Sequence, residues 1–227
     1  MTKHEERRTK HEERLNLTHV DFTITGDELW GRMNRAVEKI QKRLERTVAT
    51  LASADIPFAV IGGLAVRAWV AQADEAAVRT TRDVDIMINR LDLPRAIVAM
   101  ENAGFVYRVG KGIPMFMDGP DTKARDAVHI LFANEKVRQS DFIPTPGLHE
   151  TVAIDSIRTL NLDALVRMKL NVFRDKDKMH LRDMLDVELI DATWLTRLPQ
   201  VLSERLKQLI DNPEDGLEGM LDEPTGS

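Results

Sequence analysis

The chain contains no cysteine. That excludes a disulfide framework, a thiolate metal site, a cysteine nucleophile and a Cys-x-x-Cys redox pair. Aromatics are scarce at 5%, and no apolar run approaches the roughly 18 residues that a membrane span needs. An excess of basic charge is also missing. Lys and Arg total 32 against 37 Asp and Glu, a formal net charge of −5, which argues against a globally basic nucleic-acid binder but leaves room for a local basic groove. The charged start, MTKHEERRTKHEER, has no apolar segment of the signal-peptide kind, so the expected compartment is the cytoplasm and no membrane partner is expected. Several familiar chemistries lack their residues: there is no GxxxxGK[ST], no HExxH, no GxSxG and no zinc spacing among His129, His149 and His180.

What is present is an ordinary globular composition over 227 residues, 43% hydrophobic and 30% charged. Residues 2–7 repeat as 9–14, a polar duplication with no face to bury, so residues 1–25 are expected as a flexible arm. From Gly26, apolar residues at helical spacing (Leu29, Met33, Val37, Ile40, Leu44, Val48) predict a long amphipathic helix to about Ala54. Phe58–Ile61 reads as a strand, Gly62-Gly63 as a tight junction, and residues 64–73 as a helix. In residues 83–88, Asp83, Asp85 and Met87 point one way and Val84, Ile86 and Ile88 the other. Further strands are expected near 105–109, 115–117, 127–132 and 156–160, and helices over 92–103, 162–174, 177–190 and 194–210. Trp30, Trp69 and Trp194 read as core or lobe-contact residues. The predicted class is α+β: a small mixed sheet with flanking helices over 26–155, a helical lobe over 156–211, and a flexible acidic tail over 212–227.

Asp83 and Asp85 lie two apart on one strand face, about 6–7 Å apart along the chain. Left alone they repel each other, and a hard divalent cation removes the conflict. Taken singly, such a pair is more often scattered surface charge. Some twenty residues earlier, Gly62-Gly63 open a helix, where backbone N–H groups can receive a phosphate. A tight turn explains those glycines equally well.

The order of strand, Gly-Gly, helix, basic loop and Asp-x-Asp strand, carried by Val60-Ile61-Gly62-Gly63 and Asp83-Val84-Asp85-Ile86, resembles the DNA polymerase beta-like nucleotidyltransferase superfamily. The segments IGGLAVRAW, RTTRDVDIMI and LDALVRMKLNVFRDKDKMHLRDMLDV look like the AbiEii-type group, which includes toxins of toxin–antitoxin and phage-defence systems. The resemblance covers about residues 55–190. It implies transfer of an NMP group from an NTP to an acceptor, either RNA (tRNA ends in some relatives) or protein, and a cognate antitoxin as partner. By that resemblance Asp83 and Asp85 hold Mg²⁺ or Mn²⁺, Gly62 and Gly63 contact phosphate, and Arg79 and Lys169 bind nucleotide. By the same resemblance Asp183 belongs to the site; on the residues alone, a turn near 174–177 brings Lys169 and Asp183 near each other either as a structural ion pair or as partners in the site. An RNA acceptor needs a basic groove, and Arg79, Arg82, Arg167, Lys169, Arg174, Lys176 and Lys178 are its candidates.

One position departs from the pattern. Active members carry a third carboxylate on a later strand, and His129 fills that slot, while Asp126 is an odd offset away. Three outcomes follow: His129 acts as general base, a softer metal is used, or turnover is lost. The alternative function is therefore a catalytically impaired nucleotide-binding regulatory module. A third is an interaction protein that uses its arm and tail.

Overall fold

In the computed structural model, residues 26–110, 112–119, 122 and 126–213 are described. The expected arm (1–25) and most of the expected tail lie outside them. The chain divides into two compact units, residues 1–38 and 39–227. The described part of the first, residues 26–38, is helical, and Trp30 there is 63% exposed, so it is not a core residue.

The elements in chain order are α1 (Gly26–Ser53), β1 (Phe58–Ile61), α2 (Gly62–Ala73), β2 (Val84–Ile88), α3 (Leu93–Asn102), β3 (Val106–Gly110), β4 (Ile113–Met117), β5 (Val128–Phe132), β6 (Thr151–Ile154), β7 (Ile157–Leu160), α4 (Leu162–Val172), α5 (Asp175–Asp186) and α6 (Gln200–Asp211). The expected mixed α+β class holds. One seven-stranded sheet runs β3-β4-β5-β2-β1-β7-β6. It is antiparallel except where β2 meets β5 and β1 meets β7.

Alternation along the central strands divides the core. Phe58, Val60, Val84, Ile86, Ile88 and Ile130 face one side, in a cluster with Ile40 and Leu51 of α1 and Ala96 and Met100 of α3. Ala59, Ile61 and Met87 face the other, packed with Val66 and Val70 of α2, Leu165 of α4, Leu181 of α5 and Leu206 of α6. The second face is the one that Asp83 and Asp85 share with Met87.

Three boundaries differ from expectation. Strand β6 was not anticipated; Val152 and Ala153 are both exposed and only Ile154 is buried, so no alternation marks it. The expected helix over 194–210 is instead a short 3-10 turn, Ala192–Thr196, and then α6, because Pro199 interrupts the backbone N–H series between them. The expected helix over 177–190 begins earlier, at Asp175, and stops at Asp186. Trp194 is buried as expected, and Trp69 donates from Nε1 to the Leu160 carbonyl at 2.9 Å.

Candidate functional site

The C-terminal end of β1 runs straight into α2 through Gly62, whose φ of +69° lies in the left-handed region. Glycine suits that conformation, and a second constraint reinforces it. A Cβ on Gly62 would lie 2.1 Å from Asp85 Oδ2, and one on Gly63 would lie 2.6 Å from Thr81 Oγ1. The double glycine therefore lets the helix entrance sit directly against the Asp85 carboxylate. Register explains why these groups meet. Asp85 pairs with Ile61 on one side and with His129 on the other, so the glycine turn, the carboxylate and the imidazole form one row across β1, β2 and β5.

Three charged pairs surround this row. Lys176 Nζ lies 2.6 Å from Asp83 Oδ2. His129 Nδ1 lies 3.6 Å from Asp85 Oδ1, an ion-pair distance too long for a hydrogen bond. Lys169 Nζ donates to Asp177 Oδ1 at 3.1 Å, and both side chains are buried. Asp177 also accepts from Arg174 Nε at 2.9 Å. Helix geometry places the last group: α4 starts where Asn161 Oδ1 accepts from Ala164 N, ends at Phe173 in the left-handed region, and α5 starts two residues on. Asp177, His180, Leu181 and Met184 then recur at i, i+3, i+4 and i+7 on the buried face of α5.

Gly62, Gly63, Asp83, Asp85, His129 and Lys169, with Arg174, Lys176 and Asp177, line one cavity of about 330 Å³. Six of the eight residues singled out from the sequence thus meet there. Arg79 and Asp183 are not among the lining residues. They pair with each other, Arg79 Nε to Asp183 Oδ1 at 2.6 Å. Lys169 and Asp183 do not form the ion pair weighed from the sequence: the partner of Lys169 is Asp177, at the start of α5. Sequence reading missed Asp177 as a site residue, and Asp141 and Asn171 with it. Their signal was weak, since Asp177 stands in the charged run Arg-Asp-Lys-Asp-Lys and Asp141 in a segment without periodicity. Of the basic-groove candidates, Lys169, Arg174 and Lys176 line the cavity, whereas Arg167 is committed to Asp163 and Glu150.

The charge states follow from these contacts. The Asp85 carboxylate raises the His129 pKa against the opposing effect of burial, with Asp83 adding to the rise. The imidazole therefore keeps its proton to higher pH than an ordinary histidine, which opposes the expected role of a neutral base. Burial pushes Asp177 up, but Lys169 and Arg174 outweigh it and hold the group below the usual carboxylate range. Burial pushes the Lys169 ammonium down, and Asp177 opposes that shift. Burial raises Asp183, with Arg79 opposing. For Lys169→Met, the expected loss is about 3 kcal/mol in chemical denaturation, because a buried carboxylate loses a cation. A second change, Asp177→Leu, should recover part of it.

Behind the turn, His180 is buried, and its Nδ1, like Thr81 Oγ1, has no hydrogen-bond partner among the described residues. Burial, with the nearby Lys169 and Lys176 charges, lowers His180 to about 4. An unfolded histidine titrates near 6.5, so only the unfolded chain gains this proton between about pH 6.5 and 4. Full stability is present above pH 6.5 and declines as the pH falls through that window. The loss expected from this residue is about 3 kcal/mol. Denaturation midpoints from pH 7.5 to 4.5 check it, and His180→Gln should flatten the profile.

Asp83 and Asp85 offer hard oxygen donors on one face beside the Gly62 cradle, a donor set that fits Mg²⁺ or Mn²⁺. Among the described residues no group of three His, Asp or Glu side chains is placed to hold a metal ion alone. Two carboxylates plus the oxygens of a bound phosphate are the usual complement for Mg²⁺, so the fit holds.

No family model and no curated protein matches the chain. Solved structures do. An antigenic nucleotidyltransferase-like protein from Paracoccidioides brasiliensis is similar at 16% identity over 79% of this chain and 91% of that one, with a TM-score of 0.49. The antibiotic-resistance factor ANT(2'')-Ia is similar at 13% identity over 79% of this chain and 97% of that one, with a TM-score of 0.45. At such identities no residue role passes from them to this chain. No helix among the described residues is long and apolar enough to cross a membrane.

Proposed function

We propose that the chain is a nucleotidyltransferase that moves an NMP group from an NTP to a hydroxyl of an RNA, tRNA or protein acceptor. The observation that carries this reading is the approach of Gly62 to Asp85, which sets a helix entrance and two carboxylates around one cavity with Lys169, Arg174 and Lys176 on its walls. Phosphate groups need both kinds of partner: N–H donors and cations for their oxygens, and carboxylates for the metal that travels with them. Asp83 and Asp85 would hold the divalent metal, which supplies charge neutralisation at the transferring phosphorus. The chain's own parts do the rest. The Gly62-Gly63 backbone receives phosphate oxygens. Lys176, half-exposed and flexible, releases Asp83 to reach the triphosphate. Lys169 stays fixed by Asp177 and presents its charge to the cavity wall. The acceptor oxygen forms a bond to the α-phosphorus, the bond to the β-phosphate bridge breaks, pyrophosphate leaves, and the hydroxyl proton passes to solvent.

A second reading is favoured by one observation. His129 occupies the register position beside Asp85, and its proton is held more tightly than usual. In that reading the cavity binds nucleotide without turnover. Incubation with each α-labelled NTP, Mg²⁺ or Mn²⁺, total RNA and lysate separates the two. Label on RNA or protein supports the transferase. Metal-dependent NTP binding without label supports the binding module, and His129→Asp, which restores a carboxylate, should then gain transfer. The resemblance of residues 55–190 to the AbiEii-type group extends the first reading to a toxin of a toxin–antitoxin or phage-defence pair acting in the cytoplasm. Expression should then arrest growth, and a small protein encoded beside it should relieve the arrest.

A further inference from the structure

The cavity lining is of two kinds. Glycines and charged groups are one. The other is apolar and includes Leu131, Val137, Pro144 and Met168, and the carboxylate of Asp141 follows Val137 and Arg138 in the same wall. Asp141 is only 7% exposed. Its Oδ2 accepts from the Arg138 backbone N–H at 2.9 Å, and no cation pairs with it among the described residues. Its Oδ1 has no protein hydrogen-bond donor there either. A buried carboxylate with a spare acceptor is costly unless something else supplies a donor.

The position of Asp141 is fixed from behind. Asn171, on α4, accepts through Oδ1 from the N–H groups of Phe142 at 2.9 Å and Ile143 at 3.2 Å, and its Nδ2 donates to the Ile143 carbonyl at 2.9 Å. The segment after Asp141 is thereby clamped to the same helix that carries Lys169. A cavity with apolar lining and one carboxylate oxygen left without a protein donor in its wall suits a flat heterocycle with a donor on its edge.

We propose that Asp141 is a specificity residue for the nucleobase, its Oδ1 accepting from the amino group of adenine or cytosine, so that the cavity prefers amino bases to the keto bases of the same ring size. The inference rests on the nucleotide reading of the cavity. A keto oxygen at that position would face a carboxylate oxygen, acceptor against acceptor, and the ring N–H beside it would reach Oδ1 only if the base shifted in its plane. The preference is tested by two matched pairs, ATP against ITP and CTP against UTP, each differing by amino for keto at one ring position.

Calorimetric titration of the full chain with the four nucleotides in Mg²⁺ is the experiment. ATP should bind about tenfold tighter than ITP, and CTP about tenfold tighter than UTP, the scale of one charge-assisted hydrogen bond. In Asp141→Asn the amide oxygen keeps the Arg138 N–H and the amide N–H₂ group turns to the cavity, so the order within each pair should reverse. A purely structural role for Asp141 would weaken all four nucleotides alike and leave the order unchanged. The wild-type pairs need no variant, and a melting curve shows whether the variant is folded. Equal binding within both pairs overturns the assignment of Asp141 and leaves the nucleotide reading intact. Binding of none of the four overturns both.

Discussion

Asp83→Ala/Asp85→Ala should abolish nucleotidyl transfer, with a fall of at least about a thousandfold in the labelled-NTP assay. The two carboxylates share one strand face in the cavity lining, and removing them takes away the proposed metal ligands, a contribution on the order of several kcal/mol to the transition state. The fold should survive. Asp83 and Asp85 are 31% and 22% exposed, so neither packs the core. Lys176 and His129 lose their partners on removal, but both are accessible enough for solvent to replace them. A melting temperature within a few degrees of wild type, with transfer lost, is the expected combination. Transfer that persists in the double variant would place the chemistry elsewhere. Metal titration followed by calorimetry gives a second readout, since metal-dependent NTP binding should disappear along with turnover.

Much of this was legible in the sequence because period-two alternation is unambiguous when a strand is buried on one face and charged on the other. Asp83, Asp85 and Met87 against Val84, Ile86 and Ile88 gave the strand, its faces and its polar end together. The Gly-Gly step before a helix gave the turn. The third element of the row, His129, came from the resemblance, which expects a carboxylate at that place on a later strand, and the register sets it beside Asp85. What stayed hidden depended on pairing across long separations. Local helix spacing cannot show that Lys169 meets Asp177 rather than Asp183, because both acidic residues lie on the buried face of α5 and only the angle between α4 and α5 chooses between them. The wall around Asp141 was equally invisible. It is an irregular segment whose shape comes from Asn171, thirty residues downstream, and not from any propensity of its own. Strand β6 was missed for a different reason: it lies at the sheet edge, where exposed side chains carry little pattern.

The second large effect should come from Gly62→Ala. Two costs coincide at this position, and a single methyl group incurs both. The backbone sits at φ +69°, where an L side chain adds strain on the order of 1 kcal/mol or more. The new Cβ would also lie 2.1 Å from Asp85 Oδ2, far inside contact distance. Asp85 cannot simply swing aside, because its own Cβ would be only 2.9 Å away and β2 is paired on both sides. Either the carboxylate turns off the cavity or the end of β1 separates from β2. Both outcomes remove the junction on which the proposed phosphate binding depends. The expected result is loss of metal-dependent NTP binding by at least about a hundredfold, together with destabilisation of about 2–4 kcal/mol, in the range of overpacked and strained sites. Gly104→Ala is the contrasting control. It also has positive φ, at +86°, but nothing lies within 4 Å of its Cβ position, so it should show the strain alone and leave nucleotide binding unchanged. A Gly62 variant no worse than the Gly104 one would mean that the contact with Asp85 does not govern the site. A Gly62 variant that folds but binds no nucleotide would locate the phosphate at the β1–α2 junction, since the substitution adds nothing but a methyl group at that point.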